Sequence, residues 1–303
     1  VIVGAGPAGL STAIKLKQLA NEQSKEISIC LVEKGSEVGA HILSGNVFDP
    51  KALNELIPNW KDLGAPLNTP VKEDSVRYLL NEKSNFSIPT LFATTFKNHG
   101  NYIMSLGNFC RWMAEYAEGL EIDIFPGFTA SELIIENGRA VGVTTDQGEI
   151  RSEVVVLCPG MWGREFGLTN GIDIPLQAAE HYYLISEPID EVHNQLPILR
   201  DPGRGVYARE EAGKILLGFF EPVAAPWATD GIPKDFCFDE IDPDWDRMLP
   251  HIEKGMQRLP ILNDTGIRQF FCGPESFTPD HNYLMGKVPY TTQLFVACGF
   301  NSL

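Results

Sequence analysis

The six cysteines, at positions 30, 110, 158, 237, 272 and 298, never approach one another as C-x-x-C. Without that spacing a zinc knuckle or a local iron–sulfur motif is excluded, and no metal is expected. Several of them sit in apolar runs, as buried free thiols do, which points to a reducing compartment. Basic residues are also in short supply: 24 Lys and Arg face 40 Asp and Glu, for a formal net charge of −16. A surface that grips a phosphate backbone needs clustered Lys and Arg, so no nucleic-acid partner is expected. The acidic excess reads as a solvated surface. Missing too are an apolar run long enough to span a bilayer, a signal-peptide pattern, internal repeats and low-complexity tracts. The chain opens inside an apolar strand, so a segment is expected ahead of Val1, with room there for a targeting signal.

At 303 residues and 44% hydrophobic composition, the chain can build a large core, and two lobes sharing one cofactor are expected. The first ten residues, VIVGAGPAGL, organise the rest. Val1-Ile2-Val3 reads as a buried strand running into Gly4-Ala5-Gly6-Pro7-Ala8-Gly9, the G-x-G-x-x-G dinucleotide pattern. Gly4 serves the tight turn, Gly6 the close approach of backbone to a pyrophosphate, and Gly9 the packing of the next helix on the strand. That helix aims its positive end at the phosphates. Leu10, Ala13, Ile14, Leu16 and Leu19 supply its apolar face, and a second strand, Ile27 to Val32, ends in Glu33, the acidic residue expected to hold a ribose hydroxyl.

A glycine-rich loop, Lys34 to Gly45, follows. In a dinucleotide fold it lies along the cofactor and brings Lys34, His41 and Ser44 within reach; a solvated loop histidine is the competing reading for His41. Ser75 to Pro89 alternates as strands of a second sheet do. Asn108 to Leu120 has helical periodicity, with Phe109, Trp112, Met113 and Tyr116 on one face. Arg111 falls off that face, either a surface charge or a pyrophosphate contact. A strand is read at Glu121–Phe125, then two more around the turn Asn137-Gly138, and Val154 to Leu157 runs into Cys158-Pro159-Gly160, where the glycine suits close approach to a cofactor. From Ile174 to about Phe271, short strands alternate with Pro- and Asp-rich loops around one helix, roughly Asp244 to Leu259, as in an inserted antiparallel sheet. Leu294 to Gly299 returns to the first lobe as a strand ending in glycine. No second G-x-G-x-x-G occurs, so a separate nicotinamide domain is not expected.

Longer phrases carry a resemblance. VIVGAGPAGLSTAIKLKQLA, VEKGSEVGAHILSG, NHGNYIMSLGNFCRWMAEYAE and IFPGFTASE, within residues 1–147, resemble the FAD domain of electron-transfer-flavoprotein:ubiquinone oxidoreductases. VVVLCPGMWGREFG, PLQAAEHYYLISEPI, LPILRDPGRGVYAREE and RQFFCGPESFTPD, from about residue 152 onward, resemble the sarcosine and dimethylglycine dehydrogenases of the D-amino-acid-oxidase-like flavoproteins. Both resemblances imply FAD and electron-transfer flavoprotein as a partner. Together they imply an α/β fold: a Rossmann-like FAD-binding domain (1–74, 100–172 and 272–303) with an inserted antiparallel-sheet substrate domain (75–99 and 173–271).

The second resemblance implies oxidative demethylation of an N-methylated amino acid. The first implies the alternative, a relay from electron-transfer flavoprotein to quinone at a membrane surface. Either places the protein in a bacterial cytoplasm or a mitochondrial matrix, at a membrane periphery in the relay case. The demethylating dehydrogenases carry flavin on a histidine in a Trp-His segment; this chain has Gly39-Ala40-His41 instead, so non-covalent FAD is expected. For catalysis, strand alternation sends His181 and Tyr183 to one face and Glu180 and Tyr182 to the other. The family's His-x-Tyr pattern makes Tyr183 the expected main contact, with His181 supporting and Tyr207 and Glu275 as further candidates. A sheet core with satisfied polar ends is the competing reading.

Overall fold

The computed structural model describes residues 1–303 except 43–44, 82–83, 90, 92–95, 238 and 301–303. It divides into two compact units, Val1–Pro159 with Met285–Cys298, and Gly160–Leu284 with Gly299–Leu303.

In the first unit Ile2–Val3 runs into the helix Pro7–Glu22 and then the strand Cys30–Glu33, a βαβ start with Pro at the first helical position. These strands join a six-stranded sheet in the order Leu284–Lys287, Leu294–Cys298, Val155–Leu157, Ile2–Val3, Cys30–Glu33, Asp123–Pro126, whose last five strands run parallel. Parallel strands buried on both faces need continuous apolar sequence, which Val155–Leu157 and Leu294–Cys298 provide. Leu10, Ala13 and Ile14 of the first helix pack with Ile2 and Leu31, and with Phe109, Met113 and Ala117 of the helix Leu106–Gly119. Ser105 caps that second helix by accepting the Asn108 N–H.

The second strand differs from its sequence reading: it spans Cys30–Glu33, and Ile27–Ile29 lie outside it, since its partner Asp123–Pro126 pairs only from Cys30 onward. Val76–Leu79 and Asn85–Ile88 pair with each other as a two-stranded sheet, and this hairpin falls in the first unit. Ala130–Glu136, Arg139–Thr145 and Gly148–Arg151 form a three-stranded antiparallel sheet, with Asn137 and Gly138 at positive φ in the hairpin turn.

The second unit is built on a five-stranded sheet in the order Leu199–Asp201, Val206–Glu211, Lys214–Phe219, Gln177–Ser186, Ile267–Phe277, antiparallel throughout. One face carries Tyr182, Leu184, Val206, Leu217, Phe219, Phe270 and Cys272, packed with Met248 and Ile252 of the helix Trp245–Arg258. Asp244 caps this helix, its carboxylate accepting the Arg247 N–H at 2.9 Å. Arg247 donates to Glu180 at 2.8 Å and lies over the Tyr182 ring, which ties the helix to the sheet.

Candidate functional site

The glycine turn is the candidate site of the first unit. Gly4 has φ +97°, and a Cβ there would sit 2.2 Å from the Cys158 carbonyl oxygen. A Cβ on Gly9 would sit 1.9 Å from the Gly4 carbonyl oxygen. Packing within the chain therefore demands both glycines. Gly6 is different: a Cβ there meets no atom of a described residue beyond its chain neighbours within 4 Å. It precedes Pro7 at the helix N-cap, where no side chain caps the helix and no acidic residue occupies the first turn. Open space over an uncapped helix start is what a dinucleotide pyrophosphate requires.

Glu33 ends the adjacent strand. Its Oε2 accepts the Ala5 N–H at 2.8 Å and its Oε1 accepts the Gly35 N–H at 2.8 Å. His41 Nδ1 lies 3.7 Å from the same Oε1, with both side chains about 15% exposed. Burial pushes the Glu33 carboxyl up, but the His41 ring and the Gly35 and Ala5 N–H groups outweigh it and hold the pKa below the usual glutamate value. Each carboxylate oxygen has a second lone pair, so this fixed anion retains acceptor capacity for ribose hydroxyls. Both features fit FAD: Gly4, Gly6, Pro7 and Gly9 on the pyrophosphate side, Glu33 on the ribose side.

The remaining expected cofactor residues lie as follows. Lys34 follows Glu33 and is half-buried. Arg111 donates to Asn108 Oδ1 at 2.8 Å and lies 3.5 Å from Glu37, with 42% of its side chain exposed. Ser44 lies outside the described residues. Gly160 and Gly299 belong to the second unit; Gly160 opens a short 3-10 turn, whereas Gly299 is required by packing, a Cβ there falling 2.8 Å from Thr278 Cγ2.

The second unit carries a separate candidate site, on the sheet face opposite its core. Register places Arg200, Tyr207, Gly218, Tyr183 and Phe271 in one row, one residue from each strand. Tyr183 stacks on Phe271 with ring centroids 4.7 Å apart. Tyr207 lies directly across Gly218: a Cβ there would be 1.9 Å from the Tyr207 Cζ and 2.2 Å from its Oη. The next row holds His181 opposite Gly273, with the Phe220 ring 5.9 Å from His181 and 5.2 Å from Tyr207. Glu275 lies on the same face one row further, opposite Ala179. The structure thus gathers Tyr183, His181, Tyr207 and Glu275 on one half-buried face, and sends Tyr182 and Glu180 to the other, where Tyr182 donates to Glu180 at 2.6 Å.

Burial raises the Tyr183 hydroxyl, with Glu240 and Glu211 adding to the rise and Arg209 opposing it. Burial pushes Tyr207 up to about 12 against the pull of Arg209. Both phenols are therefore neutral donors at physiological pH. Sequence reading missed Gly218 and Arg209. The Tyr207-x-Arg209-x-Glu211 alternation was the available signal, since it puts all three on one face.

A family model described as FAD dependent oxidoreductase matches residues 95–303, and one described as FAD-NAD(P)-binding matches residues 1–162. Over 147 residues, 48% of this chain, it is 61% identical to the electron transfer flavoprotein-ubiquinone oxidoreductase of Pseudomonas aeruginosa, and 55% identical to the mitochondrial one of Dictyostelium discoideum. The matches span only 27% and 24% of those relatives. Among solved structures, L-proline dehydrogenase from P. horikoshii superposes with a TM-score of 0.69 at 16% identity, covering 99% of this chain and 87% of that one. Glycine oxidase from Bacillus cereus gives 0.66 at 15% identity, covering 99% and 88%. At such identities the likeness shows the fold.

Proposed function

Because the chain belongs to the FAD dependent oxidoreductase family, we infer that it oxidises a C–N bond of an amino acid bearing an N-methyl group. The observation that carries this reading is the face of the second unit's sheet, where Tyr183, Tyr207 and His181 stand together over Gly218 and Gly273. FAD, when bound, accepts the hydride equivalent withdrawn from the carbon beside nitrogen. The chain's own residues orient the amine. Neutral phenols at Tyr183 and Tyr207 donate hydrogen bonds and hold a nitrogen lone pair in place. Phe271 and Phe220 give the face apolar walls for an N-methyl group.

The test is anaerobic addition of N-methylglycine or N,N-dimethylglycine to the FAD-loaded protein, read as loss of flavin absorbance. Bleaching is expected. Persistence of the oxidised spectrum with both, alongside bleaching by reduced electron-transfer flavoprotein, favours a second reading. That reading is an electron relay toward quinone, supported by the 61% identity of the first 147 residues to the ubiquinone oxidoreductase. In both readings electron-transfer flavoprotein is the proposed partner. We also propose that FAD is held without a covalent bond, so acid precipitation should leave a colourless pellet.

A further inference from the structure

The helix Trp245–Arg258 covers the core face of the second unit's sheet, and Arg247 in its first turn reaches three groups there. Its Nη2 donates to Glu180 Oε2 at 2.8 Å, its Nη1 lies 3.5 Å from Glu221 Oε1, and its guanidinium carbon sits 5.0 Å from the Tyr182 ring centroid. The Glu221 side chain is 4% exposed, and those of Glu180 and Arg247 are 18% and 24% exposed. Tyr182 donates to the same Glu180 oxygen at 2.6 Å and accepts the Asp244 N–H at 3.3 Å. One cation thus gathers two carboxylates and an aromatic ring from two separate segments of the chain.

Each of these partners is a chain neighbour of a residue on the opposite face. Alternation along Gln177–Ser186 sets Glu180 and Tyr182 against the helix, and His181 and Tyr183 on the candidate substrate face. Glu221 follows Phe220, whose ring lies 5.9 Å from His181 and 5.2 Å from Tyr207. Beneath these rings the ladder is interrupted. Leu216 to Gly218 pair with Ile185 to Tyr183, the chain then departs through Phe220, whose N–H donates to the Gly205 carbonyl at 2.7 Å, and it returns with Pro226 opposite Ala179. Across that interruption the Arg247 guanidinium joins the two segments, with Glu180 on one and Glu221 on the other.

We propose that Arg247 is a positioning residue for the substrate face: by bracketing Glu180 and Glu221 from behind, it sets the placement of His181 and Phe220 in front. This rests on the amine-oxidation reading and adds to it a residue that faces away from the substrate. A guanidinium suits the task because its planar fork engages two acceptors at fixed angles, which an ammonium does not. Displacing an orienting group by about 1 Å can cost about 10²-fold in rate. Taking one partner out of a buried ion network also destabilises the fold, since the remaining charges are left unpaired. The two effects come apart when the charges are removed together.

The experiment compares the FAD-loaded parent with Arg247→Lys, with Arg247→Met, and with a triple variant that combines Arg247→Met, Glu180→Gln and Glu221→Gln. For each, anaerobic flavin reduction by N-methylglycine and N,N-dimethylglycine gives a limiting rate and a substrate dissociation constant. The melting temperature and the His181 imidazole proton resonance, identified by its loss in His181→Gln, need no substrate. Arg247→Met should melt below the parent, and the triple variant should regain most of that loss because no buried carboxylate is left unpaired. In both, the limiting rate should fall by about 10- to 100-fold while the dissociation constant changes less than about threefold, the pattern of a misplaced reacting face. The His181 resonance should leave its parental position in both, and flavin content should stay at the parental level. Arg247→Lys should reduce its flavin at a rate between parent and Arg247→Met, since it keeps the charge and loses the fork. A triple variant that reduces its flavin at the parental rate, or that keeps the parental His181 resonance, would overturn the proposal and leave Arg247 with stability alone. If neither amine reduces the parent flavin, the amine-oxidation reading fails by itself, and the resonance still decides whether Arg247 holds the face.

Discussion

Glu33 Oε2 accepts the main-chain N–H of Ala5 at 2.8 Å, so the carboxylate that ends the second strand is fastened to the glycine turn that ends the first. The residues proposed for the ribose and for the pyrophosphate are thus joined by one hydrogen bond. A change at either should be felt at the other.

At Gly6, valine should abolish FAD binding while the apoprotein keeps its fold. Among the described residues, none beyond its chain neighbours lies within 4 Å of a Cβ there, so the side chain obstructs what enters that space. Flavin content by absorbance and helix content by circular dichroism separate the two effects. Parental flavin content would refute the pyrophosphate assignment.

Replacing Glu33 by glutamine should weaken FAD binding by about 10- to 100-fold, the range of a charge-assisted hydrogen bond. It should also flatten the acid limb of stability. The Glu33 carboxyl has a lowered pKa in the folded protein. Its contribution is thus complete above the unfolded glutamate value of about 4.3, and it drains away as pH falls from there through the lower folded value. Melting temperatures recorded across that window should converge for parent and variant at the acid end.

Under the amine-oxidation reading, Tyr183→Phe should slow anaerobic flavin reduction by about 10- to 10⁴-fold if the hydroxyl shares in proton transfer. Flavin content should stay at the parental level. Rapid-mixing absorbance decides it, and reduction at the parental rate would leave Tyr183 a stacking partner of Phe271 and nothing more.

Alanine at Gly218 should drive the Tyr207 ring out of its place, since the added carbon falls 1.9 Å from Cζ. Thermal stability should drop in the single variant and recover when Tyr207→Ala is added, a coupling that a double-mutant cycle measures. Additive losses would mean that the ring has room to move aside.

The glycine turn, Glu33 and the alternation through Glu180–Tyr183 were legible in the sequence because each rests on local spacing. The fastening of Glu33 was not, since Ala5 and Gly35 act through main-chain N–H groups that every residue but proline carries. Nor was the role of Gly218. A glycine inside a strand signals close approach without saying of what, and only register identified the Tyr207 ring. The loop left His41 open between the cofactor and solvent; its seat beside Glu33 follows from the folding of residues 33–41 back on themselves.

The crowding at Gly4 and Gly9 has a consequence for how this sequence can drift. At both positions the first obstacle is a carbonyl oxygen, of Cys158 and of Gly4 itself. No side-chain replacement elsewhere removes a carbonyl. A lineage that loses either glycine therefore has no second-site route back to the same turn, whereas at Gly218 the obstacle is a tyrosine ring, and one further substitution reopens the path.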